Sequence, residues 1–453
     1  MTNDRLVILE TLLAIQKGEG FSSNIIRDVL DKYSYLDRQE RSFIKRVCEG
    51  TLERKIELDF ILNQFSNTRT AKMKPVIRTI LEMSVYQLKY MDAVPASAVC
   101  NEAVKLAEKK GFGALKGFVN GVLRGISRNL NGIAYPDAAQ DMCSYLSIRY
   151  SMPEWLTALF LKEQGERITE RIFSSFMEPK PLTVRVNLSK TDVETLIQSI
   201  EKENTNIKAE QAPYLPYALY LTGTDSIAEL PSFQKGYFQV QDVSSMLVCS
   251  LAGIKGGDYV LDVCAAPGGK ALHAADRLKQ LAKGGKVTAH DLTEQKLSLI
   301  KENCKRSGFD NIETSIQDAT AFDETGFESA DVLIADLPCS GFGIMGKKND
   351  IKYRMTEEKL SSLVKLQRKI LMNVSRYVKP GGTLMFSTCT IHRAENEENV
   401  AWITEHLPFE TVSIAEELPQ NLAAATADKG YVQLLPGVHE TDGFFIARFK
   451  KVN

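Results

Sequence analysis

Leu261-Asp262-Val263-Cys264-Ala265-Ala266-Pro267-Gly268-Gly269-Lys270 decides how the chain is read. An apolar run ends in small residues, and a helical pattern begins directly after them. Small residues let a ligand approach the backbone closely, and free N–H groups at a helix start can hold an anionic group. Outward from this turn, strand patterns at Tyr259–Cys264, Lys286–Asp291, Ile312–Gln317, Asp331–Leu337 and Thr383–Thr388 alternate with helical patterns at 268–281, 294–307 and 356–378. Such alternation predicts βαβ units, right-handed crossovers and a Rossmann-like α/β domain with a mostly parallel sheet over residues 236–453. The tail, Gly443–Phe449, reads as a last, antiparallel strand. Ligands in such sheets bind beyond the carboxyl ends of the strands, and the distinctive residues fall there.

Asp291 ends the strand after the glycine turn, Asp318 follows the next, and Asp336 ends the one after that. Strand-end acids accept hydrogen bonds from ribose hydroxyls. A tight βα turn without a ligand would use the same small residues, but the acids favour a nucleoside-bearing ligand. The dinucleotide pattern G-x-G-x-x-G is missing from the turn, so a pyrophosphate is disfavoured. Gly341–Lys347 fits G-x-x-x-x-G-K, yet position 348 is Lys where a Mg²⁺-binding Ser or Thr is needed. A ribose without a phosphate remains, and S-adenosylmethionine is the commonest such ligand.

Two further strand ends carry a cysteine: Ala335-Asp336-Leu337-Pro338-Cys339-Ser340-Gly341 and Phe386-Ser387-Thr388-Cys389-Thr390. A lone cysteine is ordinarily a small buried hydrophobe. Two on one rim of a sheet, beside an acid, point to one site. A thiolate is useful where the acceptor carbon is not itself nucleophilic, as at carbon 5 of cytosine. Attack on carbon 6 makes carbon 5 reactive, and a base must then remove the carbon-5 proton. The thiolate needs local positive potential, which Lys270, His392 or Arg393 could supply. Cys264 is read as a wall of the cofactor site. Cys48, Cys100, Cys143, Cys249 and Cys304 are read as structural.

Residues 1–135 carry helical periodicity, as in Leu6, Leu9, Leu13 and Val119, Val122, Leu123, Ile126. They predict an all-α domain of six or seven helices. Residues 136–235 are mixed, with a strand at Leu182–Leu188 and a helix at Asp192–Glu203, and predict a small α/β connecting domain. The 453 residues are 44% apolar and 25% charged, which excludes a disordered chain. The net charge of −1 hides an asymmetry: residues 1–140 hold 21 Lys and Arg against 16 Asp and Glu. A mildly basic front end fits nucleic-acid contact. Lys116, Arg124 and Arg128 could share one helix face, and Lys347, Lys348, Lys352 and Arg354 form a basic run after the Pro-Cys loop. Eight scattered cysteines without Cys-x-x-Cys argue against a disulfide framework and a zinc site. The stretch Met1–Leu6 lacks a signal-peptide pattern, and no apolar run approaches the roughly 18 residues of a membrane span. A cytoplasmic monomer without metal or membrane attachment is expected.

Together these motifs resemble RNA (cytosine-5) methyltransferases of the RsmB/Nop2/Sun family. The matching stretches are Val240-Gln-Asp-Val-Ser-Ser245, Asp262–Lys270, Asp336–Gly341, Asp350-Ile-Lys352, Gly381–Leu384, Ser387–Thr390, Glu395-Asn-Glu397, Leu435–Gly437 and Asp442–Phe445, in the family's order. The resemblance implies Cys389 as nucleophile and Cys339 as the group assisting release. It implies an S-adenosylmethionine site made by Cys264, Ala265, Ala266, Pro267, Gly268, Gly269, Lys270, Asp291, Asp318 and Asp336, with Asp336 also touching the target base. Two departures are Leu337, where the family usually has Ala and which would shape the wall beside the base, and Lys296, where Arg is common. Val94–Val99, Asn101–Ala107 and Lys116–Arg124 resemble the NusB RNA-binding fold. Met152–Trp155 and Val184–Asn187 resemble the family's connecting domain. This fusion is similar to the bacterial branch acting on 16S, small-subunit ribosomal RNA. A transfer RNA substrate and a non-catalytic RNA-binding factor are the alternatives.

Overall fold

The computed structural model describes residues 3–18, 20–224, 226–422 and 424–452. Met1 and Thr2, the start of the stretch weighed above as a leader, lie outside them. The chain packs as two compact units: Met1–Met177 with Met345–Arg354, and Glu178–Ile344 with Met355–Asn453.

The first unit is helical. Among the described residues its front holds α1 (Asp4–Gln16), α2 (Ser22–Lys32), α3 (Arg38–Glu53), α4 (Lys55–Phe65), α5 (Pro75–Tyr90), α6 (Ala96–Lys109) and α7 (Lys116–Arg128). The apolar rows read from the sequence, such as Leu9 and Leu12, Leu58, Ile61 and Leu62, and Val119, Leu123 and Ile126, share one core. Helix starts follow local chemistry. Asp37 and Glu40 form a reciprocal capping box on α3, and Pro75 opens α5 where its missing N–H costs nothing. Gly50 of α3 gives room to Tyr86: a Cβ there would lie 2.0 Å from the Tyr86 ring. Three more helices belong to this unit: α8 (Met142–Arg149), α9 (Glu154–Gln164) and α10 (Glu166–Met177).

The second unit opens with a four-stranded antiparallel sheet in the order β2-β3-β1-β4. Its strands are β1 (Leu182–Val186), β2 (Lys208–Gln211), β3 (Ala218–Thr222) and β4 (Phe238–Val240), with α11 (Val193–Glu203) and α12 (Pro231–Gln234) in between. The chain continues through α13 (Val243–Leu251), β5 (Tyr259–Asp262), α14 (Gly269–Leu281), β6 (Lys286–Asp291), α15 (Glu294–Ser307), β7 (Ile312–Ile316) and β8 (Ala330–Asp336). After α16 (Ile351–Arg354), which belongs to the first unit, come α17 (Glu357–Val374), β9 (Val378–Thr388), α18 (Glu397–His406), β10 (Phe409–Thr411), β11 (Tyr431–Leu434) and β12 (Phe444–Lys451). The large sheet runs β10-β12-β9-β8-β5-β6-β7, with β11 also paired to β12. Strands β5 to β9 pair in parallel, and β12 is antiparallel to β9. Because β5 lies between β6 and β8, connections diverge there, which opens a crevice at the strand ends. Arg185 of β1 joins the small sheet to α14 through a fully buried ion pair with Asp276, 2.8 Å long. Asp276 also accepts from the N–H and hydroxyl of Ser189.

The segment Met345–Arg354 corrects one expectation. Lys352 and Arg354 were read as part of a basic run open to RNA, yet Lys352 is buried in the first unit and Arg354, partly exposed, is tied down within it. Lys352 is 2% exposed, and its ammonium donates to the Glu53 carbonyl at 2.8 Å. Burial, opposed in part by Glu53, pulls its pKa down to about 7. Arg354 bonds the Gly20 carbonyl and the Asp350 carboxylate, and Asp350 accepts the Ser22 N–H that opens α2. A lysine whose backbone neighbours dock this way has no path to solvent, whatever its charge suggests in sequence. Among the described residues, no helix is long and apolar enough to cross a membrane, and no group of three or more His, Cys, Asp or Glu could hold a metal ion.

Candidate active site

The parallel register aligns the carboxyl ends of β5, β6, β8 and β9 along one edge: Asp262 is level with Ala289 and Ile334, and Asp336 with Ser387. The glycine turn leaves β5 here. Ala265 N–H donates to the His290 carbonyl at 2.9 Å, and Ala266 N–H to Asp291 Oδ2 at 2.9 Å. Gly268 caps α14 with φ +104°, and a Cβ there would meet Leu272 at 3.1 Å and Ile300 at 3.2 Å. Only glycine fits that backbone. Pro267 lies exposed at the turn's tip, and Gly269 begins the helix. Cys264 is half-buried, and burial, reinforced by Asp262, Asp291 and Asp336, pushes its thiol up, so it stays neutral.

Asp291 is nearly buried, and its Oδ1 takes the Leu292 N–H at 2.7 Å and the Lys296 ammonium at 2.8 Å. Lys296, noted in sequence only as a departure, therefore fixes this carboxylate, leaving a lone pair on Oδ2 for a hydroxyl. Asp318 lies exposed on the loop after β7, and Thr320 takes its Oδ1 through both N–H and hydroxyl. Gln317, next to it, bonds the Asp291 carbonyl.

A second group gathers at β8 and β9. The Lys270 ammonium meets Asp336 Oδ2 at 2.6 Å and stands over the Phe444 ring, 5.3 Å from its centroid. Asp336 Oδ1 accepts from the Ser387 hydroxyl at 2.8 Å. The Sγ atoms of Cys339 and Cys389 are 3.4 Å apart, and both residues are half-buried. Burial alone would lower the Lys270 pKa, but Asp336, Asp262 and Cys389 together raise it, so this cation stays charged beside the thiol pair. The Cys339 thiol is pushed well above its usual range by its hydrogen bond to Cys389, by burial, and by the negative charge of Cys389, Glu395 and Asp336. Leu337, read in sequence as shaping the wall beside the base, packs in an apolar core cluster, with its N–H on the Ser387 carbonyl.

Sequence reasoning left Asp262 out of the binding set. Its Oδ1 is buried without a hydrogen-bond partner, and burial, eased by Lys270 and reinforced by Asp336, raises its pKa to about 7. A buried acceptor without a donor is costly, and an incoming cationic N–H group would satisfy it. The available signal was its position as the last residue of β5, directly before the small-residue turn.

Residues 250–450 match the family described as 16S rRNA methyltransferase RsmB/F, residues 2–128 the NusB family, and residues 152–228 the RsmF/B-like ferredoxin-like domain. The probable ribosomal RNA small subunit methyltransferase B of Bacillus subtilis (strain 168) is 37% identical, over 99% of this chain and 99% of its own length. The chain belongs to the RsmB/F methyltransferase family. Its front is the NusB helical domain, and its parallel sheet is the family's methyltransferase domain. The solved structure of PH0851 superposes with a TM-score of 0.80 at 24% identity, covering 100% of this chain and 99% of that one. NSun6 from Pyrococcus horikoshii, solved with SFG, gives 0.59 at 23% identity, covering 66% of this chain and 98% of that one. At these identities the two neighbours establish the fold alone.

Proposed function

We propose that this RsmB/F family member transfers a methyl group from S-adenosylmethionine to carbon 5 of a specific cytosine in 16S ribosomal RNA, through a covalent adduct on Cys389. One observation carries the reading: two thiols 3.4 Å apart beside the Lys270–Asp336 pair. The site fits the cofactor. Asp262 Oδ1 lacks a donor, Asp291 Oδ2 has a lone pair to spare, and Gly268 and Gly269 leave the backbone open. S-adenosylmethionine, when bound, supplies a methyl group activated by its sulfonium.

The chain's own residues do the rest. Lys270 keeps positive potential beside Cys389, whose sulfur attacks carbon 6 of the base. The ring electrons then move to carbon 5, which takes the methyl. Asp336 has lone pairs to accept the cytosine amino group, the donor that distinguishes this base. A base then takes the carbon-5 proton, while the Cys339 thiol, kept neutral by its raised pKa and 3.4 Å from Cys389 Sγ, assists the release of that sulfur. The electron pair of the broken C–H bond re-forms the ring double bond and expels Cys389 as thiolate. A cytosine in structured RNA must be unstacked to reach a thiol at a strand end. We assign RNA capture to residues 1–135, where Lys116, Arg124 and Arg128 are all exposed on α7. Residues 136–235 connect, and residues 236–453 catalyse, in a monomer.

The test uses two variants of the full chain. Cys389→Ala is expected to lose methyl transfer while calorimetry still records S-adenosylmethionine binding. Cys339→Ala is expected to accumulate a protein–RNA adduct on a denaturing gel. Methyl transfer by Cys389→Ala at the wild-type rate would refute the proposal. Loss of 5-methylcytosine from transfer RNA instead of 16S RNA in a deletion strain would refute the substrate.

A further inference from the structure

We infer that the adjacent residues Glu395 and Asn396 act as a two-pronged clamp that sets the distance between the thiols of Cys339 and Cys389. The inference rests on the roles proposed for those cysteines. Neither clamp residue hydrogen-bonds a thiol, and both are fully buried. Glu395 ends the 3-10 turn Arg393–Glu395 and Asn396 links it to α18, and their side chains diverge there.

The Glu395 prong holds the Cys339 loop directly at Ser340 and, through Gln367, at Pro338. Its Oε2 accepts the Ser340 N–H at 2.9 Å, and its Oε1 accepts the Ser340 hydroxyl at 2.5 Å. Gln367 of α17 completes the grip, donating to Glu395 Oε2 and to the Pro338 carbonyl, each at 2.9 Å. Asn399 orients Gln367 through its Oε1 at 2.8 Å. The Asn396 prong grips the Cys389 loop in the same manner. Its Oδ1 accepts the Thr388 hydroxyl at 2.6 Å, and its Nδ2 donates to the Thr390 carbonyl at 3.1 Å and to Gln433 Oε1 at 2.7 Å. A hydrogen bond of 2.7 Å between the Ser340 and Thr390 hydroxyls ties one loop to the other. Each cysteine is thus held through the residues before and after it, and both holds meet at one dipeptide. Placing a carboxylate and an amide in a core is costly unless every bond is made. Here the bonds fall on the two loops whose spacing the chemistry needs.

The clamp residues are positioning residues. Reacting groups must approach to about 3–3.5 Å, and a displacement of about 1 Å costs on the order of 100-fold. Two substitutions of nearly equal volume break one prong each. Glu395→Met leaves the donors of Ser340 and Gln367 without an acceptor. Asn396→Asp sets a carboxylate oxygen against the Thr390 carbonyl and Gln433 Oε1.

The experiment reads both variants in the full-length protein by methyl-transfer kinetics and by affinity for phenylarsine oxide, a reagent that bonds two neighbouring thiols at once. Cys339→Ala is the control that removes the dithiol. The expected result is kcat lowered about 10- to 100-fold with KM for RNA within about twofold, and arsenical affinity lowered about tenfold. Arsenical affinity equal to wild type, with or without a loss of kcat, overturns the clamp. If either variant melts far below wild type, Ser340→Ala is read in its place: it removes the link between the loops and the hydroxyl bond to Glu395 Oε1 but keeps the Ser340 N–H bond to Oε2. A smaller drop in kcat and arsenical affinity then supports the clamp, and no drop overturns it. Wild-type protein that captures the arsenical but methylates no cytosine carbon 5 overturns the proposed function, while the arsenical arm still decides the clamp.

Discussion

Replacing Lys352 by Met should make the first unit more stable at pH 7 and should remove a pH dependence that the wild type shows. The lysine side chain is buried, and its pKa falls from 10.5 to about 7, chiefly because burial disfavours the ammonium. Between those values the unfolded chain binds more protons than the folded one, so wild-type stability rises with pH through that window. The whole shift corresponds to about 5 kcal/mol, present in full below pH 7 and gone above about 10.5. Between pH 7 and 9 the wild type should gain about 2 kcal/mol from this group. Methionine keeps an unbranched stem but loses the hydrogen bond to the Glu53 carbonyl, worth about 1 kcal/mol. The variant therefore starts ahead at pH 7, and its lead shrinks by about 2 kcal/mol by pH 9. The assay is urea unfolding at pH 7, 8 and 9, followed by Trp155 of α9 in a Trp402→Phe background, which leaves one of the chain's two tryptophans. Other titrating groups, such as Glu82, cancel in the difference between the two proteins. A difference that stays constant across the three pH values would refute the assigned burial.

Two further outcomes can be checked directly. Because Asp262 titrates at about 7 and only its carboxylate can accept from a cation, S-adenosylmethionine should bind about tenfold more weakly for each pH unit below 7. Calorimetry from pH 5.5 to 8 would show it, and Asp262→Asn should bind weakly with a flat profile; a flat wild-type profile would count against this role. Arg185→Met strands the buried Asp276 carboxylate and should cost the second unit about 3–5 kcal/mol, read as a lower urea midpoint by Trp402 fluorescence in a Trp155→Phe background. A loss under about 1 kcal/mol would mean that Ser189 alone keeps that carboxylate satisfied.

The parallel sheet was legible because its central strands, β5 and β8, are buried on both faces and read as apolar runs ending in acidic residues. Three kinds of element were not. Helix α13 is apolar on all sides, with Val243, Met246, Leu247, Val248 and Leu251 buried, so it carries no amphipathic period. Strands β2, β3 and β4 are three to five residues long, and β2 is mostly polar and exposed. Strand β9 begins at Val378, five residues before its apolar stretch, because Pro380-Gly381-Gly382 hides the ladder. In the site, pattern reading found the groups at strand ends, since their positions along the chain are themselves the signal. It could not find Lys296 on Asp291, nor that Leu337 turns inward, because both depend on which face a side chain takes after the strand has ended. Within the basic run after the Pro-Cys loop, Lys347 and Lys348 are exposed as read, but Lys352 misled for the same reason: positive charge in sequence says nothing about which carbonyl receives it.

The excursion of Met345–Arg354 has a consequence for how the polypeptide is made. Synthesis runs from the amino end, so the helices of the first unit leave the ribosome long before the segment that completes them. Until Asp350 emerges, the amino end of α2 lacks its carboxylate, and until Lys352 emerges, the last carbonyls of α3 face no ammonium. The whole stretch from Glu178 to Ile344 must be translated in the interval. The amino-terminal part thus waits, partly finished, for its own last turn, and no single cut through the chain can separate the two units intact.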